Sequence, residues 1–406
     1  MNRGMRIALI SQYFTPEPAK TPASVARRMA MLGHQVRVIT GFPNYPNGRI
    51  YPGYQQSLNF VEDDEVGVRV HRVPIVPSHS ENGVMRAVNY TSFMLSALLR
   101  SSLGRGADVT YVYASQPTGA LAALVWRKLF KTPYVLHVQD LWPDSITASG
   151  MVPAPAAGVV SRVITALLRP VYRHAQAIVA ISPTMRNSLI DRGVPAERVH
   201  VIYNWSSDES EHPGSAPGDG RVCTVTYAGN LGAAQDLETA VQAARRVADE
   251  LPRFRLLIVG AGTQAQRLRD AARDLACVEF RDPVPLGDMP SVYKETTFQL
   301  VPLKATANLH GAVPSKLQSS LAAGLPVICS APGAATALVH AAQAGYAVPP
   351  SDVDALAETF RRAYACEPAE HARYAQNARS FYLSRLSIDA GIAELERVLS
   401  GAAQAR

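Results

Sequence analysis

The chain has 406 residues, of which 47% are apolar and 18% are charged, and its formal net charge is +7. This length allows two or three domains and excludes a single small module, and the apolar content excludes a disordered chain. No stretch approaches the ~20 consecutive apolar residues of a membrane span, and residues 1–6 lack the basic segment and apolar core of a signal peptide. We therefore expect a cytoplasmic protein of two domains.

The first half alternates short β-branched runs with helix-length amphipathic stretches, which predicts a parallel sheet covered by helices. In chain order the predicted elements are RIALIS, a helix, QVRVIT, a long loop, a helix over 85–103, DVTYVY, a helix over 117–130, PYVLHV, a helix over 156–174, AIVAIS, a helix over 183–192 and VHVIY. Within the long loop, the acidic run Glu62 to Glu65 predicts a solvated hairpin turn between two strands.

Residues 206–220, SSDESEHPGSAPGDG, have no periodicity and predict a linker. The pattern then restarts with VCTVTYAG, a helix over 234–250, RLLIVG, a helix over 263–274, CVEF, a helix over 288–294, FQLVPL, a helix over 314–323, PVICS, a helix over 333–341, GYAVP and a helix from Asp352. We predict an α/β fold with two doubly wound, Rossmann-like domains, 1–205 and 221–380, that face each other across a cleft. A C-terminal helix within 381–406 is expected to return to the first domain.

Charge is divided unequally between the halves. Residues 1–203 hold 21 Lys/Arg and 11 Asp/Glu, a net of +10, whereas residues 204–406 hold 19 and 22, a net of −3. A basic half suits an anionic membrane surface or a lipid phosphate. Nucleic acid is disfavoured because no recognition-helix, zinc-finger or ribonucleoprotein motif is present. The four cysteines are too far apart in sequence to predict a zinc site or a disulfide framework.

Two strand-to-helix loops of the second half carry glycine pairs, Gly229 with Gly232 and Gly260 with Gly262. Glycine at such a turn lets backbone amides approach a phosphate, although a tight turn alone also requires it. Neither loop completes G-x-G-x-x-G, so a nicotinamide or flavin cofactor, and with it a dinucleotide oxidoreductase, is disfavoured.

The most informative local pattern is VPLKATANLHGAVPSKLQSSLAAGLPVICS at 301–330. Its loop carries Lys304 and His310, and the segment Pro314-Ser315-Lys316 opens a helix that closes at Gly324. Proline in a first turn with serine and lysine beside it describes a helix start suited to a diphosphate. The alternative is a solvated helix start without a ligand.

Several stretches together resemble glycosyltransferase family 4, the retaining enzymes with the GT-B fold. They are residues 13–54, VQDLWPDS at 138–145, residues 180–205, YAGNLGAAQDLETAVQAA at 227–244 and PSKLQSSLAAGLPVI at 314–328. The motif variants are most similar to a subgroup for O-antigen and capsular polysaccharide that includes L-fucosaminyl and colanic-acid transferases. The resemblance implies a bacterial enzyme of lipopolysaccharide or capsule synthesis, peripheral on the inner face of the cytoplasmic membrane. It would move a sugar, for example an N-acetylated deoxyhexosamine, from a nucleotide sugar, with UDP as the default nucleotide, to a polyprenyl-diphosphate-linked glycan.

The resemblance also places a donor site. The family's Gly-Arg-Leu aligns with Gly229-Asn230-Leu231, its lysine with Gln235, and its two glutamates with Gly311 and Ser319, so both cations and both carboxylates are replaced here. We expect Lys304 and Lys316, with the helix amides near Ser315, to stabilise the leaving diphosphate instead. The expected donor-binding residues are Gly229, Asn230, Gly260, Gly262, Pro314, Ser315, Lys316, Leu317 and Ser319.

The acceptor is expected in the first half. The loop from Glu17 to Lys20 aligns with the family's loop between donor and acceptor but lacks its glycine pair. Asp140 follows a buried strand and Asp144 follows one turn later, so either carboxylate could orient or deprotonate the acceptor hydroxyl, while Asp144 could instead cap the next helix together with Ser145. His137 is either a polar contact or a core histidine. No Asp-x-Asp motif is present, and neither a metal nor a cofactor is expected.

Helix 85–103 has the composition of an interfacial helix, with Phe93, Met94, Leu95, Leu98 and Leu99 between Arg86 and Arg100. Packing on the sheet also accounts for much of its apolar face, and residues 126–131 could add to the same surface. A second class of function stays open, a non-catalytic GT-B scaffold of a polysaccharide assembly complex. The missing cations and glutamates favour the scaffold, whereas the retained glycines with Ser315 and Lys316 oppose it.

Overall fold

The computed structural model describes residues 4–78, 83–144, 154–206, 210–212, 214–217, 220, 222–306, 311 and 313–405. The chain forms two compact units, a first unit of Met1–Asn204 with Gly391–Arg406 and a second unit of Trp205–Ala390. None of the described helices is both long and apolar enough to cross a membrane. Ser145 and His310 lie outside the described residues.

The first unit is built on an eight-stranded sheet in the order β3-β4-β2-β1-β5-β6-β7-β8. The strands are β1 Arg6–Ile10, β2 Gln35–Gly41, β3 Phe60–Asp63, β4 Arg69–Val73, β5 Val109–Ala114, β6 Tyr134–Val138, β7 Ala177–Ala180 and β8 Val199–Val201. All neighbours pair in parallel except β3 and β4, and β1 lies between β2 and β5, with Ile7 opposite Val36 and Val109. Because β1, β5, β6 and β7 are almost entirely buried, their sequences are continuous apolar runs rather than alternating ones.

Among the described residues, five helices cover this sheet, Lys20–Met31, Gly83–Leu99, Thr118–Phe130, Ala154–His174 and Pro183–Asp191. Helices Gly83–Leu99, Thr118–Phe130 and Ala154–His174 lie side by side, and the middle one packs on β1, β5 and β6. The three helices contain no aspartate or glutamate. Their outer surface is therefore free of acidic side chains of their own.

The hairpin β3–β4 confirms the two strands predicted within the long loop. The prediction that Glu62 to Glu65 form a solvated turn is wrong in part, because Glu62 and Asp63 belong to β3 and Glu62 pairs with the buried Arg72. Asp63 and Glu65 are exposed, but the Asp64 side chain is only 4% exposed and accepts from Arg27 Nε at 3.0 and 3.2 Å. This ion pair ties the turn to the helix Lys20–Met31.

The second unit has a six-stranded parallel sheet in the order β11-β10-β9-β12-β13-β14. Its strands are β9 Cys223–Ala228, β10 Phe254–Val259, β11 Val278–Arg281, β12 Phe298–Pro302, β13 Val327–Ser330 and β14 Gly345–Val348. Its helices are Leu237–Val247, Ala265–Ala271, Met289–Glu295, Ser315–Ala323, Ala334–Ala342, Val353–Tyr364 and Pro368–Phe381, and a π-helical turn follows at Tyr382–Leu386. This order is the one that the sequence pattern predicts.

The boundaries between the two units differ from the expected ones, both at the expected linker and at the last helix. Described residues of the expected linker are hydrogen-bonded within the second unit, because His212 N–H donates to Ala323 O and Ser215 N–H donates to Thr296 O. The last helix, Ile388–Gln404, enters the first unit at Gly391. There its Glu396 lies 3.1 Å from His34 Nε2.

Candidate functional site: a pocket at the strand ends of the second unit

The second unit contains a cavity of about 640 Å³ at the carboxyl ends of β9, β10 and β12. Open parallel sheets place their ligand sites at this edge, where neighbouring strand-to-helix loops diverge. The residues that line the cavity include Gly229, Asn230, Gln235, Gly260, Gln299, Leu303, Pro314, Ser315, Lys316 and Ser319. Seven of the nine expected donor-binding residues are therefore brought together here; Gly262 and Leu317 are outside the lining.

The glycines of the two loops are required by close packing between the loops. Gly260 has φ +148°, and a Cβ there would lie 1.9 Å from the carbonyl oxygen of Gly229. A Cβ at Gly262 would lie 2.5 Å from Leu231 O. Gly229 faces Lys316, whose Nζ is 3.3 Å from the Cβ position of that glycine, and Gly232 faces the side-chain amides of Gln235 and Asn230. The structure thus supports the tight-turn interpretation for Gly260 and Gly262 and a close-approach role for Gly229.

Helix Ser315–Ala323 begins at the cavity wall. Pro314 precedes its first residue with extended backbone, and the helix ends at Gly324, which has φ +76°. The first N–H groups of a helix have no carbonyl partner inside it, and they favour an anion. Leu317 in contrast is fully buried and its N–H donates to Pro314 O, so its side chain belongs to the core of the unit.

Lys316 is the cation that this helix start holds over the cavity. Its Nζ donates to the Tyr227 hydroxyl at 2.6 Å and lies 3.9 Å from the centre of the same ring. The Tyr227 hydroxyl in turn donates to Asn230 O at 2.6 Å. Among the described residues no carboxylate pairs with Lys316, and burial lowers its pKa to about 8. A half-buried ammonium without a counter-charge is a binding group for an anionic ligand.

Lys304, Ser319 and Gln235 have different surroundings. Lys304 follows β12 and is exposed, and it is not among the lining residues. Ser319 lies at the cavity wall with its hydroxyl 3.2 Å from that of Ser206. Gln235 Oε1 accepts the Gly232 N–H at 3.1 Å and so holds the loop after β9. Neither Ser319 nor Gln235 supplies the charge that the family has at these positions.

Gln299 is a cavity residue that sequence reasoning missed. It lies on β12, it is 2% exposed, and its Oε1 has no hydrogen-bond partner among the described residues. A buried amide without a partner costs stability unless a ligand completes it. The sequence feature that could have revealed Gln299 is that it is the single polar residue of the apolar strand FQLVP.

We expect Gln299→Leu to weaken nucleotide binding without loss of thermal stability. The leucine has similar size and removes the unpaired amide, so the melting temperature should hold or rise. One lost hydrogen bond to a ligand lowers affinity by about tenfold. Isothermal titration with UDP and GDP checks this, and unchanged affinity for both nucleotides would show that Gln299 does not contact the ligand.

Protonation of Lys316 predicts opposite pH trends for stability and for binding. Burial lowers its pKa from 10.5 to about 8, so the folded state disfavours the charged form. The resulting loss of stability is full below about pH 8, the pKa of Lys316 in the folded state, and it disappears as the pH rises from about 8 through 10.5. The affinity for an anion falls over the same range, because Lys316 loses its charge. Melting temperatures and UDP affinities at about pH 7 and about pH 9.5, compared with Lys316→Met, check both trends. If the native protein and the variant follow the same pH course, Lys316 does not control binding.

In the first unit, Glu17 is a structural group rather than an exposed acceptor contact. Its carboxylate is buried and accepts backbone N–H groups of Phe14 at 3.1 Å and of Asn44 and Tyr45 at 2.8 Å each. Burial raises its pKa, against the effect of these hydrogen bonds. The carboxylate therefore joins the loop after β1 to the loop after β2. Lys20, at the start of the next helix, is exposed.

His137 lies inside the core of the first unit. It is buried on β6, its Nδ1 lies 2.7 Å from the Tyr111 hydroxyl, and its ring meets Tyr113 edge to face. Burial lowers its pKa to about 3, so the ring is neutral. Of the two interpretations from the sequence, the core histidine agrees with this geometry.

The two aspartates after β6 differ in their surroundings. Asp144 pairs with Arg192 at 2.5 Å, which occupies its carboxylate. Asp140 is exposed, and its carboxylate has no hydrogen bond or ion pair among the described residues. Partial loss of water around the carboxyl group raises its pKa. Asp140 also raises the pKa of the nearby Tyr90 and Tyr113 hydroxyls. Of the two, Asp140 is the carboxylate available to a ligand.

The chain has two Rossmann-like units with a cavity at the strand ends of the second, and this architecture is the GT-B fold. Residues 18–205 match the family described as Glycosyl transferase 4-like domain, and residues 223–366 match Glycosyl transferases group 1. Each unit of the chain is therefore similar to a glycosyltransferase domain, the first to the 4-like type and the second to group 1.

Relatives span most of the chain. Protein WcaI of Escherichia coli (strain K12), named as a colanic acid biosynthesis glycosyl transferase, is 28% identical over 339 residues, which cover 79% of this chain and 82% of WcaI. The GDP-mannose-dependent alpha-mannosyltransferase of Mycobacterium tuberculosis (strain CDC 1551 / Oshkosh) is 26% identical over 400 residues, which cover 94% and 93%. The crystal structure of Anabaena Alr3699/HepE in complex with UDP and glucose has a TM-score of 0.62 at 16% identity and covers 98% of this chain and 99% of its own, a likeness of fold.

Proposed function

We propose that the protein transfers a sugar from a nucleotide sugar to a lipid-linked glycan in bacterial surface-polysaccharide synthesis. One observation carries the proposal: the ammonium of Lys316, which pairs with no carboxylate among the described residues, lies at a helix start in a cavity of about 640 Å³. This arrangement suits a diphosphate, whose negative charge grows as its bond to the sugar breaks. The relative named for colanic acid biosynthesis and the neighbour that binds UDP support the same assignment.

The donor is proposed to be a UDP-sugar, for example that of an N-acetylated deoxyhexosamine, and the sugar to be transferred with retention. The neighbour with UDP supports uridine, whereas the relative named for GDP-mannose keeps guanosine as the alternative to test. We propose that Asp140 orients or deprotonates the acceptor hydroxyl, because its carboxylate has no partner among the described residues. In this proposal Lys316 and the helix amides stabilise the diphosphate, and no metal takes part.

The test is a transfer assay with radiolabelled UDP-sugars and GDP-sugars against polyprenyl-diphosphate-linked acceptors. The proposal expects product with one donor, in the presence of a chelator, and release of the matching nucleoside diphosphate. The competing function is a non-catalytic scaffold, which the missing family cations and glutamates favour. A folded protein that neither binds nor consumes any of these donors would establish the scaffold.

We further propose that the protein lies on the inner face of the cytoplasmic membrane through helix Gly83–Leu99. Phe93 of the expected apolar set is fully buried, but Leu95 is 52% and Leu99 76% exposed. Val84 and Val88 continue the same row toward the helix start and are exposed as well. A row of exposed apolar side chains on a helix without acidic residues fits an anionic bilayer surface.

Leu95→Ser with Leu99→Ser should weaken binding to vesicles of phosphatidylcholine and phosphatidylglycerol by about tenfold, because less apolar area enters the bilayer. The matched control is Met31→Ser with Leu32→Ser, two exposed apolar residues at the end of another helix of the same unit. Vesicle co-sedimentation measures both. Equal losses in the two double variants would contradict a specific role for helix Gly83–Leu99.

A further inference from the structure

The first unit has a cavity of about 520 Å³, which the proposed chemistry does not use, at the end of its sheet where β1, β2 and β4 begin. The strands run away from this end, so Asp140, which follows β6, belongs to the opposite end of the sheet. Four of the lining residues are arginines, Arg6, Arg37, Arg69 and Arg105. The described lining contains no aspartate or glutamate. The cavity is therefore strongly basic.

Two of the arginines are neighbours across the sheet. Arg37 of β2 lies opposite Arg69 of β4 in the parallel register, and neighbouring strands are only about 4.8 Å apart, so both side chains leave the same face close together. Arg69 has a distant partner, Asp63 at 3.6 Å, and both of these side chains are more than half exposed. Arg6 in contrast is paired with Asp108 at 2.7 Å. An anion between Arg37 and Arg69 would relieve their repulsion.

The remaining partners in the cavity neutralise little of the charge. Arg37 donates to a backbone carbonyl of the segment before β5 at 2.7 Å, and the Arg105 guanidinium lies 5.6 Å from the centre of the Phe130 ring. His34, also in the lining, lies 3.1 Å from Glu396. Neither Arg37 nor Arg105 pairs with a carboxylate in the part of the chain that the structure describes. Their guanidinium charges are thus left for a ligand.

A histidine on the same face of the sheet reports the excess of positive charge. His71 is two residues after Arg69 on β4, it is buried, and neither ring nitrogen has a hydrogen-bond partner among the described residues. Burial and the charges of Arg37, Arg100 and Arg69 lower its pKa to about 4. The Nε of Arg100 is likewise buried without a partner in the described structure. Buried polar groups without partners are rare, and here they accompany charge that the protein does not balance.

We infer that this cavity binds a small, multiply charged anion through its phosphate oxygens, with Arg37, Arg69 and Arg105 as the contacts. The three arginines come from separate segments, so a single carboxylate would not meet them all, whereas a diphosphate or a phosphate ester offers oxygens to several guanidinium forks. The site belongs to the other unit than the nucleotide cavity, and to the other end of the sheet than Asp140. It is therefore an effector or stabilising site, and it does not depend on the proposed function.

Isothermal titration with sodium pyrophosphate at constant ionic strength tests the inference. Every chain carries Lys316→Met, so that the nucleotide cavity contributes as little as possible, and the chain with this substitution alone is the parent. Arg69→Gln with Arg105→Gln should weaken binding by about tenfold or more. The matched control, Arg49→Gln with Arg162→Gln, removes the same charge from two exposed arginines of the unit outside the lining. It should change the affinity little.

Thermal unfolding without pyrophosphate shows whether the variants are folded. The variant of Arg69 and Arg105 should melt no lower than the parent, because it lowers the repulsion within the cluster. Arg37→Gln, made separately, should also weaken binding. Equal losses in the two double variants, or no binding by the parent, would overturn the inference. Co-sedimentation with phosphatidylglycerol vesicles distinguishes the source of the phosphate, since a loss confined to vesicles would assign the site to a lipid head group instead of a small anion.

Discussion

Lys316→Met should reduce turnover by about 10²–10³-fold, because it removes the ammonium that we propose stabilises the developing charge of the leaving diphosphate. The substitution keeps the apolar stem that lies against Tyr227 and deletes only the ammonium. Since burial disfavours that ammonium, the melting temperature near neutral pH should stay the same or rise. Steady-state kinetics and thermal unfolding measure the two effects separately.

The matched control for this substitution is Lys294→Met, an exposed lysine of the same unit outside the cavity lining. It should leave both turnover and melting temperature unchanged. A parallel loss of activity and stability in Lys316→Met would mean that the lysine supports the fold rather than the reaction. Addition of a small primary amine should restore part of the lost turnover only if the ammonium itself is required.

Asp140→Asn should lower turnover by about 10²–10⁴-fold, the range for loss of a general base. Burial raises the pKa of Asp140, which makes its carboxylate a stronger base toward the acceptor hydroxyl. The native enzyme should lose activity as the pH falls and Asp140 becomes protonated, and the variant should lack this acidic limb. Turnover against pH for both proteins provides the measurement.

Asp191→Asn is the control for Asp140, since Asp191 is an exposed carboxylate at the end of helix Pro183–Asp191. It should keep the native pH profile. A variant of Asp140 that raises KM but leaves the pH profile of kcat intact would show that Asp140 only positions the acceptor. Retention of native turnover by Asp140→Asn would remove the residue from the site.

The strands and helices could be predicted because local periodicity sets them. The second unit follows the predicted order of elements, and the helix start at Ser315 lies where proline, serine and lysine place it. The hairpin β3–β4 was likewise signalled by its acidic turn. Such features depend on residues close in sequence, so the sequence alone contains them.

Roles that depend on distant partners could not be predicted in the same way. Glu17 was expected at the acceptor, but its hydrogen bonds to Asn44 and Tyr45 come from another loop. Phe93 belongs to an apolar helix whose buried side is fixed only by packing. The place of Gln299 in the cavity depends on elements that are far apart along the chain. Each of these sites is defined by tertiary structure.

The central claim is that the cavity of the second unit binds the diphosphate of a nucleotide sugar through Lys316. Its most direct test is isothermal titration of the native protein and Lys316→Met with UDP and with GDP, in the presence of a chelator. The account predicts one site per chain for one of the two nucleotides and a loss of affinity of about tenfold or more in the variant. Equal affinity in the two proteins, or binding of neither nucleotide by the folded native chain, would contradict it.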